Sequence, residues 1–162
     1  MRIVGIDPGV SGGLVLLNGR QIEDMLPMPT VEIATGKHRR REIVEDRVAD
    51  ALRAWKPDHA MIEKVHSMPD QGTASMFSFG AGWGLVRGVC AGLGIPRELI
   101  PPQTWKKIML AGYPKDAEEL VARQLWPRAD WTVATTKAGR GGLYDAALIA
   151  EAGRRRMEGG KP

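Results

Sequence analysis

The sequence predicts an α/β fold: a mixed five-stranded sheet flanked by helices. Two observations carry this. Short apolar runs crowd the first 26 residues, with the turn signal Asn18-Gly19 between two of them. From Glu42 onward, helical periodicity alternates with two further short apolar runs, at 60–65 and 97–100. A chain of 162 residues with 43% hydrophobic content is long enough for one well-buried core and short for two. A single domain over 1–162 is therefore expected.

Strands are expected at 2–7, 13–18 and 20–26. Apolar residues lead straight into Asp7, placing that acid at the end of a buried strand, and Pro8, Gly9, Gly12 and Gly13 permit a tight reversal behind it. Asn18-Gly19 is a type I′ hairpin signal, so the second and third strands form an antiparallel meander. Residues 27–41, with prolines, a glycine and a basic run, suit a ligand-touching loop. Over 42–55, Ile43, Val44, Val48, Ala51, Leu52 and Trp55 recur at helical spacing, and Pro57 prevents continuation. Strand 60–65 follows, ending near Glu63, and pairs most simply beside the first.

The segment 73–93 repeats glycine every fourth residue, at Gly80, Gly84, Gly88 and Gly92, which on a helix makes one smooth stripe. Each glycine costs about 1 kcal/mol relative to alanine in a helix interior, so another backbone is expected against that stripe. It is either the protein's own sheet or a second copy across a two-fold axis. A short strand at 97–100, a proline-started helix at 101–108 and an amphipathic helix at 115–126 come next. Residues 130–142, with Lys137, Arg140 and three glycines, read as a loop, and a last helix is expected at 143–156.

The formal charge is +4 and the pI near 9.5, with basic clusters at Lys37-His38-Arg39-Arg40-Arg41 and Arg154-Arg155-Arg156. Such clusters are solvated faces or the footprint of a polyanion. The lone cysteine, Cys90, excludes an internal disulfide and a cysteine-based metal site and fits a reducing cytoplasm. No stretch has the length and apolarity of a secretory signal or a bilayer span, so a cytoplasmic protein without a membrane partner is expected.

Asp7, Glu63 and Asp145 each stand at the lip of an apolar run: two strand ends, and the start of Asp145-Ala146-Ala147-Leu148-Ile149-Ala150. Converging carboxylates repel one another and would hold protons unless a cation joined them. Oxygen ligands without thiolates or a histidine pair favour Mg²⁺ or Mn²⁺ over Zn²⁺. Two such ions about 4 Å apart can activate water and stabilise the leaving oxygen in phosphodiester hydrolysis.

This order of acids resembles RuvC-type Holliday junction resolvases over nearly the whole chain. The likeness is closest to the bacteriophage-type branch, through Ile62-Glu63-Lys64-Val65-His66-Ser67-Met68-Pro69, Ser75-Met76-Phe77-Ser78-Phe79-Gly80 and Pro102-Gln103-Thr104-Trp105-Lys106-Lys107. The resemblance implies an RNase H-like fold, a homodimer, two metal ions per site, and paired symmetric nicks in a four-way DNA junction. Asp7, Glu63 and Asp145 match the family's metal-binding acids, and Lys106 and Lys115 its lysines near the scissile phosphate. Lys115 opens a predicted helix, where a cation opposes the dipole, which favours a DNA role. Contacts to DNA are expected from Lys37, Arg39, Arg40, Arg41, Lys64, His66, Lys106, Lys107, Lys115, Lys137 and Arg140.

Two departures stand out. Relatives carry a fourth acid or a histidine one turn before the last aspartate, where this chain has Gly142, with Gly141 no better. Water, Glu151 or Asp130 replaces it, or the second ion is weak. The aromatic wedge expected soon after the glutamate is missing too, since His66 and Met68 occupy that stretch and the nearest aromatics are Phe77 and Phe79. Other readings are a junction-binding protein with impaired cleavage, a branched-DNA or flap nuclease, and, distantly, an ATPase of the actin and sugar-kinase type, for which the chain is too short.

Overall fold

The computed structural model describes residues 1–35, 38–64 and 72–159. Strands β1 (Arg2–Asp7), β2 (Gly13–Asn18) and β3 (Gln21–Pro27) form the expected antiparallel meander. β6 (His59–Glu63) lies parallel to β1, and β7 (Arg97–Ile100) parallel to β6, giving the order β3-β2-β1-β6-β7. Strand β6 covers the run expected at 60–65 as far as Glu63, Lys64 lying past its end and residue 65 outside the described residues. Because helices cover both faces, β1 and β2 are near-continuous apolar runs. Alternation by two sends Ile3, Val15, Leu17 and Met61 to one core, and Val4, Ile6, Leu14, Leu16 and Ile62 to the other.

The β2–β3 turn departs from the type I′ expectation. Only Gly19 has a positive φ, at 59°, whereas that turn needs two such residues. The register also shifts between Leu16 and Leu17, whose partners Asp24 and Ile22 leave Glu23 as an extra residue, and Glu23 takes the Arg2 guanidinium at 2.5 Å.

Residues 27–41 are not a loop. β4 (Thr30–Thr35) and β5 (His38–Ile43) pair antiparallel as a separate two-stranded ribbon. Its basic strand reads as loop by composition, but Ile43 at its end is buried against Gly82 and anchors it. Helix α1 therefore begins at Glu45 and runs to Trp55. Beyond it come α2 (Thr73–Gly92), α3 (Pro102–Met109) and α4 (Glu118–Leu125). α4 starts after the expected Lys115, because Asp116 sits at φ 60° and breaks the helix there.

The largest correction is α5, which spans Lys137–Met157 and absorbs the second part of the expected 130–142 loop, from Lys137 on. Thr136 caps it, its hydroxyl accepting from the Gly139 N–H at 3.0 Å. Of the three glycines that suggested a loop, Gly142 instead lets α5 press on the loop after Asp7, while Gly5 admits the helix to the sheet. A Cβ on Gly5 would collide with Ala146 O and come within 2.6 Å of Ala150 N, and one on Gly142 would collide with Ser11 O. The α2 stripe behaves differently. Gly80, Gly84, Gly88 and Gly92 are exposed, and a Cβ on any of them would meet nothing within 4 Å among the described residues. Packing on the protein's own sheet is thereby excluded.

Candidate active site

Asp7 closes β1, and its Oδ1 accepts the Gly9 N–H at 3.1 Å, folding the following loop around the acid. Gly12 is needed there: a Cβ would collide with Asp7 O and lie 2.7 Å from Asp7 Cγ. Glu63 closes β6, and since Ile6 pairs with Ile62, the two acids occupy adjacent strand ends. Asp145 is brought over them by the close approach of α5 at Gly142 and Gly5.

The three carboxyls sense one another. Burial, then the charge of Asp7, pushes Asp145 up to about 8, with Lys106 opposing and Glu118 and Glu63 adding. Burial, then Glu63, pushes Asp7 up to about 6 against the Gly9 bond. Burial also raises Glu63, opposed by the Trp105 hydrogen bond and by Lys106. Among the described residues no three His, Cys, Asp or Glu side chains converge tightly enough to coordinate one ion by themselves. An open oxygen-only set, completed by waters and phosphate oxygens, suits Mg²⁺.

Lys106 joins this group, its Nζ 2.7 Å from Glu118 Oε1. Burial works against its charge but is outweighed by Glu118, Asp145 and Glu63, so its ammonium is held above the ordinary range. Glu118 is the carboxylate that sequence reasoning missed. An acid in the first turn of a helix reads as a dipole complement, and its nearness to Asp145 is a tertiary fact. Lys115 is exposed and precedes α4, so the dipole argument for it does not hold. Asp116 and Glu118 line the cleft of about 530 Å³ beside Asp145, together with Lys137 and Arg140.

The other basic residues divide by place. Arg140 Nη1 is fixed by Ala134 O at 3.1 Å. Lys64 and Lys107 are exposed immediately after Glu63 and Lys106. On the ribbon, Arg39 pairs with Glu32, Arg40 with Glu42, and Arg41 reaches Ser11 Oγ at 2.6 Å, bringing the basic strand to the Asp7 loop. Lys37, His66 and Met68 lie outside the described residues.

Neither acid suggested as a substitute at Gly142 serves. Glu151 is buried in ion pairs with Arg154 and Arg155, and Asp130 caps a 3₁₀ turn through Thr132. Of the two aromatics, Phe77 is 75% exposed, while Phe79 packs near Gly9.

No family model matches the chain. It is 27% identical over 144 residues to the crossover junction endodeoxyribonuclease RuvC of Nitratidesulfovibrio vulgaris (strain Hildenborough), covering 85% of this chain and 86% of that protein. Against the RuvC of Synechococcus sp. (strain WH7803) it is 29% identical over 127 residues, covering 75% and 79%. The structure of T. thermophilus RuvC in complex with a Holliday junction substrate matches with a TM-score of 0.65 at 17% identity, over 98% of this chain and 96% of that one. These findings support kinship with the RuvC family. The fold is RNase H-like, as the resemblance implied. Among the described residues, no helix is long and apolar enough to cross a membrane.

Proposed function

We propose that this chain is a metal-dependent, structure-selective endodeoxyribonuclease that resolves four-way DNA junctions by paired symmetric nicks. The observation carrying this reading is the mutual electrostatic coupling of Asp7, Glu63 and Asp145, which come from three separate elements at one end of an RNase H-like sheet. Coupled, desolvated carboxylates of this kind would hold two Mg²⁺ ions, with Mn²⁺ as a substitute. When bound, the ions supply water activation and stabilisation of the leaving oxygen.

The chain's own residues do the remaining work. Asp7 is pre-oriented by Gly9, and Lys106 offers its ammonium to the phosphate beside the acids, exchanging Glu118 for it. Lys137 and Arg140 line the cleft, the exposed Lys64, Lys107 and Lys115 join the proposed phosphate-binding set, and Arg39, Arg40 and Arg41 extend the basic surface along the ribbon. Lys37 and His66 belong to the same proposed set. Phosphate contacts of this sort hold DNA without reading its sequence. Two symmetric nicks need two sites, and the exposed glycine stripe of α2 supports a homodimer through that helix. The motifs at 62–69, 75–80 and 102–107 support the phage-type branch, and the whole chain is read as a single nuclease domain.

Asp7→Asn, Glu63→Gln and Asp145→Asn should each reduce nicking at least about a thousandfold, the loss of several kcal/mol of metal-borne stabilisation, while junction affinity in gel shifts is retained. A variant that nicks at the wild-type rate removes its residue from the site. The lack of a donor at Gly142 favours one second reading, a junction binder that does not cut. Wild-type protein that binds four-way and flapped DNA yet nicks neither in Mg²⁺ or Mn²⁺ would establish that reading instead.

A further inference from the structure

Glu63 is gripped by two indoles from different helices. Trp83 of α2 donates its Nε1–H to Glu63 O at 3.1 Å, and Trp105 of α3 donates its Nε1–H to Glu63 Oε1 at 3.0 Å. The second bond differs from what burial alone demands. Trp126 satisfies its indole with a main-chain oxygen, that of Arg20, Trp55 gives its own to Asp24 Oδ2, and Trp131 is buried with no partner for its Nε1 among the described residues. The core of this protein thus tolerates an unpaired indole N–H. Trp105, fully buried, nevertheless spends its single donor on a carboxylate at the lip of the sheet.

We infer that Trp105 is a positioning residue for Glu63: its indole N–H occupies Oε1 and fixes the carboxylate's rotamer, leaving Oε2 as the oxygen for a divalent cation. The inference rests on the reading of Glu63 as a metal ligand. A donor to a ligating carboxylate removes the torsional freedom that metal binding would otherwise have to freeze. It also stabilises the charged form, in the sense already seen at Glu63. Helix α3 thereby delivers two groups to the site from consecutive residues: Trp105, which sets the acid, and Lys106, which Glu118 holds at 2.7 Å. Such outer partners change metal affinity by about 10–100-fold.

The test compares Trp105→Phe with a protein carrying 3-benzothienylalanine at position 105, which keeps the bicyclic shape and replaces N–H by sulfur. Mn²⁺ binding to the DNA-free protein is measured by titration calorimetry, alongside the Mg²⁺ dependence of nicking and junction affinity in EDTA. Both variants should bind Mn²⁺ about tenfold more weakly, with the Mg²⁺ midpoint raised by a similar factor and junction affinity unchanged. Should Trp105→Phe fail to fold, the benzothienyl protein decides the matter alone. Wild-type Mn²⁺ affinity in a folded variant overturns the inference. Glu63→Gln separates the two levels: if it binds Mn²⁺ like wild type, the ligand role of Glu63 falls and this inference with it. If it loses Mn²⁺ while the Trp105 variants do not, only the role of Trp105 falls.

Discussion

Helices α5 and α2 are both rich in glycine. In α5, Gly142 lies so close to the Asp7 loop that a Cβ would collide with Ser11 O and Gly12 Cα and sit 2.7 Å from Gly12 C. In α2, a Cβ on Gly80, Gly84, Gly88 or Gly92 would have nothing within 4 Å. The first set of contacts is what seats Asp145 in the field of Asp7. The second leaves about 1 kcal/mol of helix propensity per glycine uncompensated among the described residues. The same residue type therefore marks an internal seam in one helix and an external face in the other.

The seam is the place to expect the largest effect. Gly142→Ala should destabilise the protein by about 1–3 kcal/mol through overpacking against backbone that cannot rotate away, lowering Tm by roughly 2–4 °C per kcal/mol for a chain of this size. Nicking should fall further than stability does, because α5 must lift and carry Asp145 with it. Thermal melts together with nicking assays below the melting range measure both. Wild-type nicking in Gly142→Ala would show that the site does not depend on this approach.

How much of this was legible beforehand follows from the same contrast. The five strands of the sheet were readable because apolar runs and Asp7-Pro8-Gly9 are local signals. The register that sets Asp7 beside Glu63 followed from pairing the helix-linked strand next to the first. The ribbon at 30–43 was not, because Arg39, Arg40 and Arg41 make a strand look like a loop, and the anchoring contact of Ile43 with Gly82 is long-range. The start of α5 was missed for a related reason: Gly139, Gly141 and Gly142 are poor helix formers by propensity, and the packing of Gly142 on the Asp7 loop is a long-range contact. Glu118 and the bond from Trp105 to Glu63 were invisible because nothing in spacing along the chain reports which side chains meet across helices α3, α4 and β6. For α2, the spacing announced a close approach without saying to what.

Burial along the seam carries an electrostatic consequence that the exposed α2 face lacks. Asp7 rises to about 6 and Asp145 to about 8 from an ordinary value of 3.8. Below that ordinary value both carboxyls are protonated folded or unfolded, and nothing is lost. As pH rises, the unfolded chain ionises first and the folded protein holds its protons, so stability falls through about 6 and on to about 8 and then levels. In EDTA, the wild-type Tm should therefore drop by several degrees between about pH 5 and 8.5, and Asp145→Asn should flatten most of that slope. Mg²⁺ should restore Tm at the alkaline end in the wild type more than in the variant, as a ligand of the folded state does. Parallel slopes for the two proteins would place Asp145 outside a coupled cluster.

The smallest effect is expected on the open face, and it tests the comparison most directly. Gly84→Ala adds a methyl group into open space on an exposed helix, so the monomer should be no less stable and should gain up to about 1 kcal/mol from propensity. Its junction-free melting curve should shift slightly upward. Gly84→Leu adds bulk without an internal clash, so the melt of a dilute sample should again change little, while self-association should weaken if a second copy packs its own helix against this stripe. Sedimentation equilibrium across a micromolar concentration series reads that difference apart from folding. A Gly84→Leu protein that melts well below wild type when dilute would mean that the stripe is packed from within, which contradicts the open space above it. One that sediments like wild type would mean that the face is not where two copies meet.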